Sequence, residues 1–134
     1  MKQKEWLNGS GYYDPTAYQA LKKLNYLPIV YICSSFSGDE VVNAELARQY
    51  AHFALEKGTI PITPNLLFPH IMNDLDVEGR QHALRVKLIL LGRCKELWVF
   101  GDNLSEGMRQ EIQRAKHRNM MIRWFSEDCQ EVTR

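Results

Sequence analysis

The sequence has almost no net charge and no long hydrophobic run. Its 134 residues carry a formal charge of +1 at pH 7, which gives no basic footprint for nucleic acid. No apolar run approaches the roughly 20 residues that cross a bilayer, and residues 1–15 lack the apolar core of a signal peptide. These absences predict a cytoplasmic protein that binds neither nucleic acid nor membrane.

Metal-binding and dinucleotide-binding patterns are also missing. Cys33, Cys94 and Cys129 are odd in number and form no CxxC pair, so they predict neither a disulfide framework nor a zinc site. The histidines are isolated and lack metal-site spacing. The fingerprints GxGxxG and GxxxxGK[ST] do not occur, which disfavours a dinucleotide or P-loop site. We expect no metal and no cofactor.

Apolar, β-rich runs alternate with helical patterns over residues 28–134. Strands are predicted at "IVYICSS", "TIPITP", "ELWVFG" and "MMIRWF". The alternation predicts βαβ units with right-handed crossovers. We therefore expect a small flavodoxin-like or Rossmann-like α/β fold, with three layers around a four- or five-stranded parallel sheet. The two prolines of "TIPITP" suit strand ends or an edge position better than a central one.

Residues 1–27 form a separate, N-terminal helical extension in this prediction. The stretch "DPTAYQALKKL" indicates a helix, with Asp14 at its cap and Pro15 at its first position. The extension packs on the domain of residues 28–134, or it is an arm that brings Tyr12 or Tyr13 to a site or to a neighbouring subunit.

Ligands of an open parallel sheet bind beyond the carboxyl ends of its strands. The loop after the first strand, "CSSFSGD", carries Ser35, Ser37 and Gly38 before a helix begins. Small hydroxyl residues and glycine let backbone amides approach an anion at a helix N-terminus. The alternative is ordinary turn chemistry followed by a helix cap.

The loop after the third strand, "GDNLSEGMRQEIQRA", places a glutamate over a glycine. With Ser105 as the N-cap, Glu111 borders the apolar stripe of the helix and leans toward Gly107, where no side chain blocks it. The pattern indicates a carboxylate that faces a small hollow beside the free amides of the helix. The alternative is a surface glutamate that flanks a buried stripe.

Two stretches, "YICSSFSGD" and "ELWVFGDNLSEGMRQEIQRA", resemble the nucleoside 2-deoxyribosyltransferase superfamily over roughly residues 29–124. Gly107, Glu111, Ile112 and Ala115 match its helix G-x-x-x-E-h-x-x-A. Ser105 stands six residues before the glutamate, as in the 2'-deoxynucleoside 5'-phosphate N-hydrolases. The resemblance implies that Glu111 is the catalytic carboxylate and that Ser105 belongs to a phosphate site.

The implied activity is cleavage of an N-glycosidic bond, or deoxyribosyl transfer, on a nucleoside or nucleoside 5'-monophosphate. Glu111 acts as the nucleophile, and Tyr31 or Ser35 positions it or the substrate. Asp102 serves as a second acid in the reaction, or it only shapes the turn "GDN" that follows the third strand. The 5'-phosphate contacts Ser35, Ser37, Gly38 and Ser105. The base stacks on Phe36 or Phe68.

Three departures from the superfamily pattern favour a different function. Lys87 stands where the superfamily usually has an acid, although Asp74 or Asp76 could take the place of that acid. Gln113 and Arg114 replace small residues that usually follow the glutamate. The alternative is a non-catalytic nucleotide-binding or sensor module of the same fold. A phosphoribohydrolase of the lysine-decarboxylase-like group is disfavoured because "PGGxGTxxE" is absent.

The helix before the third strand is apolar on more than one face. The residues concerned are Leu84, Val86, Leu88, Ile89, Leu90 and Leu91. One sheet hides only part of that surface, so we expect a homodimer or a larger homo-oligomer.

Overall fold

One mostly parallel sheet organises the part of the chain that the computed structural model describes, which is residues 27–35, 38–72 and 76–134. Its strands are β1 (Ile29–Cys33), β2 (Ile60–Ile62), β3 (Glu96–Phe100), β4 (Met121–Phe125) and β5 (Glu131–Val132). They lie in the order β2-β1-β3-β4-β5, and only β5 is antiparallel to its neighbour. The α/β prediction is confirmed. Most of the predicted N-terminal extension, including Tyr12 and Tyr13, lies outside the described residues.

The helices cover the sheet on both faces. They are α1 (Glu40–Glu56), the short α2 (Pro64–Leu67), α3 (Val77–Leu91) and α4 (Glu106–His117), and a 3₁₀ turn (Phe68–His70) follows α2. Side chains of α1 pack on one face, and side chains of α3 and α4 pack on the other. This arrangement gives the three layers that the alternation of strands and helices predicted.

The central strands β1 and β3 are buried along most of their length because helices cover both faces of the sheet there. Tyr31 and Cys33 of β1 point to the α3 and α4 side, where they pack with Met108 and Ala115. Val30 and Ile32 alternate to the α1 side. The period of two along a strand therefore assigns alternate residues of "IVYIC" to two separate cores.

Proline and side-chain caps set the ends of the elements. β2 contains Pro61 and lies at the edge of the sheet, one of the two alternatives that the prolines left open, because an edge strand tolerates a missing N–H. Asp39 caps α1 by accepting from the amides of Val41 and Val42, at 2.9 and 3.2 Å. Ser105 caps α4 by accepting from the amide of Met108 at 3.3 Å.

The strand order reverses direction between β1 and β3. The chain passes from β1 to β2 on one side and then crosses to β3 and β4 on the other. Loops that leave the carboxyl ends of β1 and β3 therefore diverge and open a crevice, which is where ligands of this architecture bind. Ser34 follows β1, and the turn that begins at Gly101 leads from β3 into α4.

Candidate active site

Glu111 lies on the buried side of α4. Met108, Ile112 and Ala115 form the stripe of this helix that packs on the sheet, and Glu111 lies within the same buried set, with 7% of its surface exposed. A charged side chain is seldom buried this deeply without partners. The sequence pattern placed this residue at the border of the stripe, and the structure places it inside.

Two side chains of β1 hold the Glu111 carboxyl group. The Tyr31 hydroxyl donates to Oε2, and the Cys33 thiol donates to Oε1 at 3.5 Å. Tyr31 and Cys33 are two residues apart on one strand, so they share a face. Each carboxyl oxygen therefore has its own donor. The thiol contact was not anticipated from the sequence, where Cys33 was considered only as one of three cysteines without a disulfide or zinc pattern.

The protonation balance at Glu111 is set by opposing effects. Burial raises the pKa of Glu111 above its ordinary value of 4.5, while the Tyr31 hydrogen bond, the Lys87 charge and the Cys33 hydrogen bond each lower the pKa, and burial prevails. Burial and the neighbouring Glu111 raise the pKa values of both Tyr31 and Cys33. The phenol and thiol therefore keep their protons at neutral pH and act as donors.

A cavity of about 350 Å³ opens beside Glu111. This volume is within the range of small-molecule sites, roughly 300–1,000 Å³. A Cβ atom at Gly107 would meet nothing within 4 Å, so the glycine leaves space there. The cavity is lined by Ser34, Asn65, Arg80, Ala83, Leu84, Lys87, Ser105, Glu106, Gly107, Met108 and Glu111.

The residues proposed from the sequence differ in how they lie relative to this cavity. Ser105, Gly107 and Glu111 line the cavity. Tyr31 does not line it, but its hydroxyl donates a hydrogen bond to Glu111. Ser35 lines a neighbouring cavity of about 270 Å³ that includes residues of α1. Phe36 and Ser37 lie outside the described residues.

The remaining candidates do not line the Glu111 cavity. Gly38 is exposed in the left-handed region, at φ 94°, just before α1 begins. Asp102 is exposed and forms an ion pair with Arg134 at 3.0 Å. Phe68 is buried. Asp76, suggested as a replacement acid, caps α3 by accepting from the amide of Gly79 at 2.6 Å, and Asp74 lies outside the described residues.

Other residues that line the cavity were not assigned to the site from the sequence. Asn65 of α2 donates from Nδ2 to the carbonyl oxygen and Oγ of Ser34, both at 3.0 Å, and so ties α2 to the end of β1. Arg80 and Lys87 reach the cavity from α3. Their spacing of seven residues, two helical turns, was a usable signal, since it places both on one side of the helix.

The described part of the chain gives no basis for a metal centre or a membrane span. It contains no cluster of three or more histidine, cysteine or acidic side chains that is arranged to hold a metal ion. Among its helices, none is long and apolar enough to cross a bilayer. Cys33, Cys94 and Cys129 are free thiols.

Comparisons with known proteins place the chain in a family. Residues 28–125 match the family model described as Domain of unknown function (DUF7768). The chain belongs to this family. None of the curated proteins with which this DUF7768 member was compared matches it.

The fold of this DUF7768 protein is similar to that of a solved enzyme. The structure of the 2-deoxyribosyltransferase from Bacillus psychrosaccharolyticus matches with a TM-score of 0.61 and 16% sequence identity. The match covers 79% of this chain and 77% of that enzyme. At this identity the likeness establishes a shared fold, and it agrees at that level with the resemblance seen in the sequence.

Proposed function

We propose that this DUF7768 protein cleaves the N-glycosidic bond of a deoxynucleoside or its 5'-monophosphate, with Glu111 as the nucleophile. The observation that carries the proposal is a buried carboxyl group with a donor on each oxygen, which lines a cavity at the point where the strand order reverses. The fold shared with a 2-deoxyribosyltransferase supports the same activity.

In the proposed reaction, a Glu111 oxygen attacks the anomeric carbon as the N-glycosidic bond breaks. The base leaves with the bonding electron pair and takes up a proton, which gives a glycosyl-enzyme ester. Water or a second base then attacks the same carbon and releases the carboxylate. Tyr31 positions the carboxylate through Oε2, and Ser105 with the first amides of α4 faces an anionic group of the substrate.

Several proposed substrate contacts rest on the sequence pattern alone. Ser35, Phe36, Ser37 and Gly38 belong to the loop after β1, and Asp102 belongs to the turn after β3. We keep them as proposed substrate-binding residues because loops at the carboxyl ends of these strands border the crevice. The Glu111 cavity itself is formed by other residues, chiefly of α3 and α4.

Base release tests the proposal. The protein is incubated with the four deoxynucleosides and their 5'-monophosphates, and free base is measured by chromatography. We expect turnover that falls by a factor on the order of 10⁴ or more in Glu111→Gln. Turnover should be unchanged in Glu45→Gln, a matched substitution at an exposed position of α1. Base release that survives Glu111→Gln would contradict the assignment of the nucleophile.

One observation favours the second candidate, a non-catalytic nucleotide-binding module. Burial raises the pKa of Glu111, and a protonated carboxyl group is a hydrogen-bond donor rather than a nucleophile. Nucleotide binding without base release at any pH between 5 and 9 would identify this function.

We also propose a homodimer that forms through α3. Ile89 exposes 57% of its surface, and it borders a groove of about 330 Å³ between α3 and α4 with Leu84 and Leu88. Apolar side chains in a groove of this kind are typical of an interface.

A further inference from the structure

Two basic side chains of α3 line the same cavity as the carboxyl group of Glu111. Arg80 and Lys87 are two helical turns apart, and Ala83 and Leu84 between them also line the cavity. One side of α3 thus forms a continuous wall with a cation at each end. The resemblance to deoxyribosyltransferases implies an acid at Lys87, so the wall is basic where an acidic side chain was expected.

The beginning of α4 contributes further positive potential to this cavity. Ser105, Glu106 and Gly107 line it, and the amides of the first helical turn carry partial positive charge. Glu106 is exposed and accepts a hydrogen bond from Gln110 Nε2 at 3.1 Å. Glu111 is held by the two donors of β1. Two cations and the first amides of α4 thus line one space of about 350 Å³ together with the carboxyl groups of Glu106 and Glu111.

From this arrangement we infer that Arg80 and Lys87 bind the phosphate of a nucleoside 5'-monophosphate and make the site selective for phosphorylated over unphosphorylated substrates. The inference rests on the proposed function for the identity of the sugar and base. The phosphate then contacts the wall of α3 and Ser105, in place of the contacts with Ser35, Ser37 and Gly38 that the sequence suggested.

Lys87 has a second consequence for the chemistry. A phosphate bound near Glu111 disfavours the charged carboxylate, since like charges raise the pKa of an acid. The Lys87 ammonium lowers the pKa of Glu111, so it opposes the effect of the phosphate. The same side chain that selects an anionic substrate thus helps to keep the nucleophile ionised.

The ratio of kcat/KM for a deoxynucleoside 5'-monophosphate to kcat/KM for the matching deoxynucleoside tests the inference. We expect the ratio to fall about tenfold to a hundredfold in Lys87→Gln, mainly through KM for the phosphorylated substrate. Lys87→Arg should retain most of this ratio, and Lys116→Gln, a substitution at an exposed position of α4, should leave the ratio unchanged. Arg80→Gln should lower the ratio, whereas Arg85→Gln on the same helix should not. Equal ratios in the wild type and Lys87→Gln would overturn the inference.

Calorimetric binding to Glu111→Gln separates this inference from the proposed function. Tighter binding of the monophosphates than of the deoxynucleosides, dependent on Lys87, supports the phosphate site even where the wild type releases no base. Base release without any preference for the phosphorylated substrate overturns the phosphate site and leaves the glycosidase in place.

Discussion

At the scale of single residues, Glu111 combines features that oppose stability and favour chemistry. Its carboxyl group is buried, which raises its pKa, yet Tyr31, Lys87 and Cys33 all stabilise the charged form. A buried group that needs three compensating neighbours is a poor choice for a core position. Perturbed carboxyl groups in a cavity are typical of functional sites.

Removing the charge is expected to stabilise the fold while it abolishes activity. The folded state holds the Glu111 proton more tightly than the unfolded chain does. The stability that protonated Glu111 contributes is therefore complete below its unfolded pKa, near 4.5, and is lost as pH rises through the folded pKa. Glu111→Gln should unfold at a higher temperature than the wild type at pH 8, and the difference should shrink toward pH 4. A lower unfolding temperature at pH 8 would contradict this account.

Loss of the Tyr31 hydroxyl is expected to slow the reaction and shift its pH dependence. The hydroxyl donates to the charged carboxylate, and such a bond contributes about 1.5–3 kcal/mol. Tyr31→Phe should lower kcat about tenfold to a hundredfold and move the acid limb of the pH profile to higher pH. Cys33→Ala should move the limb less. Cys94→Ala is the matched control, because that thiol donates to the carbonyl of Leu90 instead. An acid limb that does not shift in Tyr31→Phe would argue against the proposed role of Tyr31 in stabilising the carboxylate.

At the scale of elements, the start of α4 determines the shape of the site. Ser105 caps the helix, Gly107 leaves the hollow open, and Glu111 follows one turn later on the buried side. A side chain at position 107 would enter the cavity that we propose for the ligand.

Filling this hollow should separate ligand binding from folding. Gly107→Leu places its side chain in the cavity, so nucleotide affinity should fall at least tenfold, while the helix tolerates the change. Gly107→Ala should raise stability by up to about 1 kcal/mol, because alanine favours the helix, and should weaken binding less than leucine does. Calorimetry measures the nucleotide affinity, and thermal unfolding measures the stability. Equal affinity of Gly107→Leu and the wild type would place the ligand elsewhere.

Local patterns predicted the fold and some of the residues that line the candidate site. The edge position of β2 was one of the two alternatives that the prolines left open. The cap at Ser105 followed from its distance to the apolar stripe. β5 was missed because it is two exposed residues long, held beside β4 by the Arg123–Glu131 ion pair at 2.7 Å. A contact of this kind depends on the assembled sheet and leaves no periodicity in the sequence.

The wall of the cavity was the part that local patterns could not give. Cys33 meets Glu111 across 78 residues of sequence, and Asn65 meets Ser34 across 31. Lys87 was recognised only as an unexpected residue type. Its position on the cavity depends on how α3 packs beside α4, which the sequence pattern does not specify.

At the scale of the whole molecule, the apolar groove between α3 and α4 lies on the same two helices as the Glu111 cavity. We expect the purified protein to be a dimer by light scattering after size exclusion. Ile89→Glu, which buries a charge at the proposed interface, should yield a monomer. Val41→Glu, at an exposed position of α1, should remain a dimer. A monomeric wild type, or a dimer that survives Ile89→Glu, would remove this interface.

The central claim is that Glu111 bonds covalently to the sugar. A 2'-deoxy-2'-fluoro nucleoside 5'-monophosphate slows release of the glycosyl-enzyme because fluorine disfavours the positive charge on the sugar carbon. Intact-protein mass spectrometry, followed by peptide mapping, should show one sugar phosphate attached to the peptide that contains Glu111, and none in Glu111→Gln. Base release with no covalent adduct, or an adduct on another residue, would contradict the account.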